Sequence, residues 1–284
     1  MVMTKPSVNS VNITRITNNQ PEQTLDLLAV EEPMEIRLGF GPIDARQQKS
    51  VSVTMRTPGN DFELALGFLF TEGIIQNPTD VYKIQYCNEL NNKENIENIV
   101  RVELNPNLDI DLSKLQRNFY TTSSCGVCGK ESIEAIKTNC MVQQLDLIFK
   151  INPQTITQLP DKLRAQQSVF EHTGGIHACA LFDALGNLLL LREDVGRHNA
   201  LDKLIGAAIN SPTIQPNKTV LLLSGRASFE LLQKAAMAGI PVVCAVGAPS
   251  SLAVQTSQSF NITLVGFLRN QRFNIYSTPQ RITL

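Results

Sequence analysis

Short apolar runs separated by helix-length amphipathic stretches dominate the C-terminal half of this chain, and they constrain its fold more than any other feature. His177–Phe182, Leu188–Leu191, Thr219–Leu223 and Val242–Val246 are apolar almost throughout. A strand of that kind has to be covered on both faces. Between them, Asn199–Ile209 places Leu201, Leu204, Ile205 and Ala208 on one helical face. Ser228–Ala238 is a second helix, closed by Gly239 and Pro241. Asp183-Ala-Leu-Gly-Asn187 supplies a turn between the first two strands. Strands alternating with helices predict an α/β fold with a layered α/β/α sheet.

The preceding residues read as a smaller α+β part. Met34–Leu38 and Val51–Thr54 are strand-like, and Ile99–Leu104 is a further strand before a turn at Pro106. Asn60–Gly73 reads as a helix, with Asn60 able to cap it, Glu63 at the capping-box position and Gly73 as its stop. Asn88–Asn98 is crowded with Asn and Glu, as in an exposed loop or hairpin tip. Lys150–Arg164, with Pro153 and Pro160, is expected to be a connector or hinge. The expected division is a flexible tail over 1–22, the α+β part over 23–115, and the α/β domain over 116–284.

Composition excludes several function classes. A formal net charge of −1 argues against bulk binding of nucleic acid or membrane, so any anion site has to be local. The first twenty or so residues are polar, without the apolar core of a secretory signal. No apolar run approaches the roughly 20 residues that span a bilayer. The expected location is the cytoplasm. In that reducing compartment the six cysteines are read as chemistry or core filling, not as a disulfide framework.

Cys125-Gly-Val-Cys128 is the sharpest chemical feature. Gly126 and Gly129 flank the thiols, and a short helix is predicted over Lys130–Asn139. A helix N-terminus and the Lys130 cation both favour the thiolate, the reactive form of cysteine. Such a pair fits a dithiol–disulfide switch, half of a zinc site, or a carrier of persulfide sulfur. For zinc, the remaining ligands would have to come from His172 and His177, far along the chain and without a second Cys-x-x-Cys. Cys179 and Cys244 lie inside apolar strands and read as small core residues.

Other polar stretches fall where strands meet helices. Thr173-Gly-Gly-Ile-His177 opens a strand, and Asp194-Val-Gly-Arg-His-Asn199 opens a helix. Arg197 and His198 at that helix start favour an anion; ordinary capping explains the same residues. Ser224-Gly-Arg-Ala-Ser228 joins a buried strand to a helix, an arrangement that presents backbone N–H groups to phosphate. Gly247-Ala-Pro-Ser-Ser251 repeats the pattern after the next strand. Phe267-Leu-Arg-Asn-Gln-Arg272 reads as a hairpin with Arg269 and Arg272 at its tip, where solvated turn arginines are the plain alternative.

In order, Arg56-Thr-Pro-Gly-Asn-Asp61 with Gly67-Phe-Leu-Phe-Thr-Glu-Gly73, Thr122–Gly129, Thr173–His177, Glu193–Lys203 and Ser224–Ser228 resemble the formate dehydrogenase accessory sulfurtransferase family, FdhD. The resemblance runs from about Glu31 to the C-terminus. It implies that Cys125 accepts persulfide sulfur from a cysteine desulfurase, with Cys128 beside it. It implies transfer to molybdenum in bis(molybdopterin guanine dinucleotide), the cofactor of formate dehydrogenase. The cofactor-binding stretch falls on Phe267, Leu268, Arg269, Asn270, Gln271 and Arg272. Ser224, Gly225, Arg226 and His198 are expected to join it, with guanosine diphosphate (GDP) as a mimic and no zinc. The resemblance further implies a homodimer and a main domain similar in fold to cytidine deaminases. Their zinc signature is missing, because Cys125 follows Ser124 where a Pro is needed, and no His-x-Glu occurs. A non-catalytic chaperone that holds the cofactor is the alternative, and a zinc or redox switch is a third reading.

Overall fold

The computed structural model describes residues 5–87, 97–106, 108, 145 and 147–283. Three sheets are formed. β1 (Val8–Thr17) and β2 (Gln20–Ala29) make an antiparallel hairpin. β3 (Glu32–Phe40), β4 (Gln47–Arg56), β5 (Val81–Tyr86) and β6 (Ile99–Leu104) form a four-stranded sheet in the order β4-β3-β6-β5. β7 (His177–Phe182), β8 (Leu188–Asp194), β9 (Val220–Leu223), β10 (Val242–Ala245), β11 (Thr263–Arg269) and β12 (Arg272–Ser277) form the main sheet, in the order β12-β11-β10-β9-β7-β8. Its centre is parallel, β9 to β10 to β11, and both margins are antiparallel.

The alternation of side chains along each strand explains the layers. On β9, Leu221 and Leu223 face a cluster with Leu201, Leu204, Leu231, Leu232 and Ala253. These come from α4 (Arg197–Ile209), α5 (Phe229–Met237) and α6 (Ser251–Ser259). Val220 and Leu222 face the opposite cluster, with Ile156, Leu159 and Leu163 of α2 (Pro153–Arg164). The sheet is therefore covered on both faces, the α/β arrangement expected from its apolar strands. A short helix, α3 (Ser168–Thr173), follows α2.

In the smaller part, α1 (Asp61–Thr71) packs Leu64 and Leu69 on Met34, Ile36, Leu38, Val100, Val102 and Leu104. Its other side meets α4 at a glycine crossing. A Cβ on Gly67 would lie 1.9 Å from the Asp202 carbonyl oxygen, and one on Gly206 would lie 2.0 Å from that of Glu63. Backbone therefore touches backbone where the two parts join. No helix among the described residues is long and apolar enough to cross a membrane.

Three local expectations are corrected. The flexible tail over 1–22 instead contains β1, and Asn18 and Asn19 form the two-residue turn with φ of 52° and 62°. Paired positive φ values match the right-handed twist of a hairpin, and Asn tolerates them. The connector over Lys150–Arg164 is the helix α2, because Asn152 caps it and Pro153 occupies a first-turn position that needs no N–H. Burial of Ile156, Leu159 and Leu163 outweighs the defect at Pro160. Finally, Asn60 makes no side-chain cap: it sits at φ 59°, and Glu63 reaches Arg192 instead of closing a capping box.

Candidate functional site

The thiol pair Cys125 and Cys128 lies outside the described residues. The remaining candidate residues can be followed directly, and the topology gathers them on one edge of the main sheet. Strands β9, β10 and β11 end there, β7 begins there, and β8 ends there to feed α4. Crevices at the carboxyl ends of parallel strands are where such sheets take ligands.

Backbone hydrogen bonds lace the loops of this edge together. Gly247 N donates to Gly225 O at 3.0 Å, Ser250 N to Ala227 O at 3.0 Å, and Phe267 N to Gly247 O at 3.0 Å. Ser224 is tied to β7, its hydroxyl oxygen accepting from Ala178 N at 2.9 Å. His177, at the start of β7, packs its ring against Gly225. Ser224, Gly225, Arg226 and His198 are thus brought to one edge, and the 267–272 hairpin extends from the end of β11 at the same edge.

The charges at this edge are sorted by burial. Asp194 is fully buried and pairs with Lys203 at 2.7 Å. It also accepts from Thr57 N at 3.1 Å, Gly196 N at 2.8 Å and Asn199 Nδ2 at 3.3 Å. Asn199 in turn donates to Met55 O at 2.7 Å. Most polar residues of the 193–203 stretch therefore bind the two parts of the chain to each other. His198 points elsewhere: its Nε2 lies 3.4 Å from Ser228 Oγ and 3.7 Å from Glu230 Oε2. That histidine contact is the main cause holding the Glu230 carboxyl down at about 2. Burial first, then the Arg197 and His198 charges, lowers the His177 pKa, so its imidazole is neutral at neutral pH.

Cations surround this edge. Arg226, Arg269 and Arg272 are exposed and, among the described residues, form no ion pair. Arg197 is half-buried, with Nε enclosed and, among the described residues, without a hydrogen-bond partner. Arg269 and Arg272 stand directly opposite each other across the two-residue turn Asn270–Gln271, whose φ values are 53° and 58°. Like charges so placed repel, a cost that an anionic ligand would relieve. The N-termini of α4 and α5 carry no side-chain cap, which leaves donors and positive potential at the same edge. Chemically, this edge suits a polyanion.

The sequence-level residues divide in the structure. Leu268 is fully buried in the core beneath the sheet, so its side chain is not at the surface of the site. Phe267 is half-buried, and Asn270 and Gln271 are exposed. Glu230 was not singled out from sequence; its signal was an acidic residue in the first turn of the helix that Ser228 opens. Cys179 and Cys244 are buried, their thiols pushed up by the apolar surroundings, in keeping with core roles. No cluster of three or more His, Cys, Asp or Glu side chains suited to a metal occurs among the described residues.

The sequence profile of the FdhD/NarQ family matches residues 29–283. The chain is 47% identical over 274 residues to the sulfur carrier protein FdhD of Streptomyces coelicolor, covering 96% of this chain and 94% of that one. It is 49% identical over 271 residues to the protein of that name from Mycolicibacterium paratuberculosis, covering 95% and 97%. The protein of that name from Picrophilus torridus is 44% identical over 259 residues, covering 90% and 92%. Among solved structures, that of a candidate formate dehydrogenase accessory protein from Desulfotalea psychrophila superposes with a TM-score of 0.71 at 21% identity. It covers 98% of this chain and 100% of its own.

Proposed function

The chain belongs to the FdhD/NarQ family, and from that premise we propose that it is a cytoplasmic sulfur carrier serving formate dehydrogenase. The observation that carries the proposal is near-full-length similarity to proteins named as sulfur carriers. In this reading Cys125 is the carrier. Its thiolate attacks the terminal sulfur of a cysteine desulfurase persulfide, forming the new S–S bond as the desulfurase cysteine leaves as thiolate. No net oxidation accompanies that exchange.

The acceptor in this reading is the molybdenum of bis(molybdopterin guanine dinucleotide), written here as substrate. Its guanine dinucleotide arms are polyanionic, and the sheet edge presents Arg197, Arg226, Arg269 and Arg272, which form no ion pair among the described residues. Those residues, with the loops at Ser224–Ser228 and Gly247–Ser250 and with His198, are assigned to holding the substrate. Release of the carried sulfur as sulfide requires two electrons. Attack of the Cys128 thiolate on Cys125 Sγ supplies them, leaving a Cys125–Cys128 disulfide that a cellular dithiol must reduce. The functional unit is proposed to be a homodimer.

The alternative is a chaperone that holds the nucleotide-bearing substrate with passive cysteines. Intact mass after incubation with a cysteine desulfurase and cysteine separates the two. The carrier reading expects a gain of one sulfur, lost on reduction and absent in Cys125→Ala. It also expects Cys125→Ala to fold normally yet fail to restore formate dehydrogenase activity in cells lacking the native protein. Full restoration by that variant would leave the chaperone reading in possession.

A further inference from the structure

The β1–β2 hairpin is a structure that one molecule alone supports poorly. Its two strands, Val8–Thr17 and Gln20–Ala29, make a sheet of their own, and among the described residues no further strand joins either outer edge. A ribbon of two strands is marginally stable in water unless something packs on it. Long open edges are also templates for another chain. The root is held: β2 approaches α3, and Lys5, just ahead of β1, pairs with Glu32 of β3 at 2.6 Å. The outer part is not. From Thr14 to Gln23 every residue is exposed, so about four residue pairs, roughly 13 Å of ribbon, project with both faces in water.

The two faces differ in charge. Direct cross-strand partners share a face, so the even-numbered residues of β1 and the odd-numbered residues of β2 line one side: Ser10 opposite Leu27, Asn12 opposite Leu25, Ile16 opposite Pro21. No residue on that side is charged. It carries Ile16, Leu25 and Leu27, which are 61%, 64% and 37% exposed. Arg15, Glu22 and Asp26 all lie on the other side, where Arg15 and Glu22 stand directly opposite each other.

Chemistry and size together select the occupant of the uncharged face. Partners that come and go are steered by complementary charge, and this face offers none. Lasting interfaces between identical chains are depleted of charge and more apolar. A two-fold contact also brings the same patch of both copies together, which an uncharged surface tolerates. One face of the ribbon covers roughly 33 Å by 10 Å, about 330 Å². Arm laid on arm would bury about 660 Å² in all, too little for a specific interface. Two arms, each laid across the body of the other copy, bury about 1,300 Å², within the range of specific interfaces.

We propose that the β1–β2 hairpin is a dimerisation arm, whose uncharged face lies across the body of a second copy of this chain while that copy's arm lies reciprocally across the first. The proposal rests on the homodimer reading above and names the surface that makes it. It also gives the projecting ribbon the packing partner that it lacks within one chain.

The test measures oligomeric state by sedimentation over a range of concentrations, using the full chain and two variants. Leu25→Lys combined with Leu27→Lys puts two charges on the uncharged face. Replacement of Thr14–Gln23 by Asn-Gly joins Ile13 to Thr24, which are cross-strand partners, through a two-residue turn and removes the projecting part. Both variants alter exposed residues, so both should still unfold cooperatively. Wild type is expected to be a dimer, and each variant should raise the dimer dissociation constant at least about a hundredfold. A folded variant of either kind that dimerises as tightly as wild type overturns the inference alone and leaves the homodimer to another surface. A monomeric wild type overturns the homodimer reading and this inference with it, and assigns the arm to a different protein.

Discussion

Arg269 and Arg272 illustrate how much a residue's meaning depends on its neighbours. Sequence alone places both at a hairpin tip, and the structure agrees; it adds that they face each other across the turn, without acidic partners among the described residues. Each charge-assisted contact to a phosphate is worth about 1.5–3 kcal/mol, whereas exposed turn charges contribute little to folding. Replacing both by Ala should therefore lower nucleotide affinity at least tenfold. The melting temperature should hold or rise slightly as the repulsion is removed. The loss should shrink at high salt, and calorimetry at two ionic strengths checks this; equal affinities at both would return them to solvated turn residues. Glu230 yields a pH prediction. Its carboxyl is held at about 2 by His198, below the ordinary value of 4.5. A depressed acid contributes stability that is present above its unfolded pKa and lost as pH falls toward the folded one. The stability difference between wild type and Glu230→Gln should thus be full near neutrality and shrink below about pH 4.5. In His198→Ala the carboxyl midpoint, followed by NMR, should move up toward the ordinary range. A midpoint that stayed low would mean another group holds it.

At the scale of elements, what could be read from sequence was whatever announces itself locally. The buried strands β7, β9 and β10 were legible because an apolar run with no polar alternation has few other uses, and α4 and α5 because their apolar spacing is helical. The β1–β2 hairpin was missed because its strands are largely exposed and polar; the only signal was Asn18-Asn19 after a stretch rich in Val, Ile and Thr. Helix α2 was missed because two prolines outweighed its Ile156, Leu159 and Leu163 stripe. Nothing local revealed why α1 and α4 each carry a central glycine. The crossing supplies the reason and a prediction. Alanine in place of Gly206 gains about 1 kcal/mol of helix propensity. The added methyl, however, would lie 2.0 Å from the Glu63 carbonyl oxygen, which is backbone and cannot rotate aside. Overpacking of this kind costs about 1–3 kcal/mol or more, so the clash wins. Gly206→Ala should lower stability by about 2 kcal/mol or more, measured by chemical denaturation. A more stable variant would show that the helices separate at little cost.

Across the whole molecule, the seam between the smaller part and the main sheet is polar where a seam is usually greasy. Lys234 is buried against Asp202 at 3.0 Å, Glu72 at 3.2 Å and Thr71 Oγ1 at 2.9 Å. Lys203 reaches both Asp194 and, at 2.7 Å, the Thr57 carbonyl oxygen of the smaller part. These partners are 131 to 163 residues apart in sequence wherever they join the two parts, so no local pattern could have paired them. A buried ion pair is often replaceable by apolar side chains at no loss. Here that rule should fail, because the Asp194 carboxylate also satisfies Thr57 N, Gly196 N and Asn199 Nδ2. Each orphaned donor costs about 1–3 kcal/mol. Lys203→Ala, which strands a buried carboxylate, should cost about 3–5 kcal/mol. The double variant Asp194→Ala with Lys203→Met should remain destabilised by several kcal/mol instead of recovering, since the orphaned donors persist. Because those donors belong to both parts, wild type should unfold in one transition with coincident probes. Lys203→Ala should shift that transition to lower denaturant. Recovery of wild-type stability by the double variant would reduce Asp194 to a mere partner of Lys203, and the seam to an ordinary ion pair.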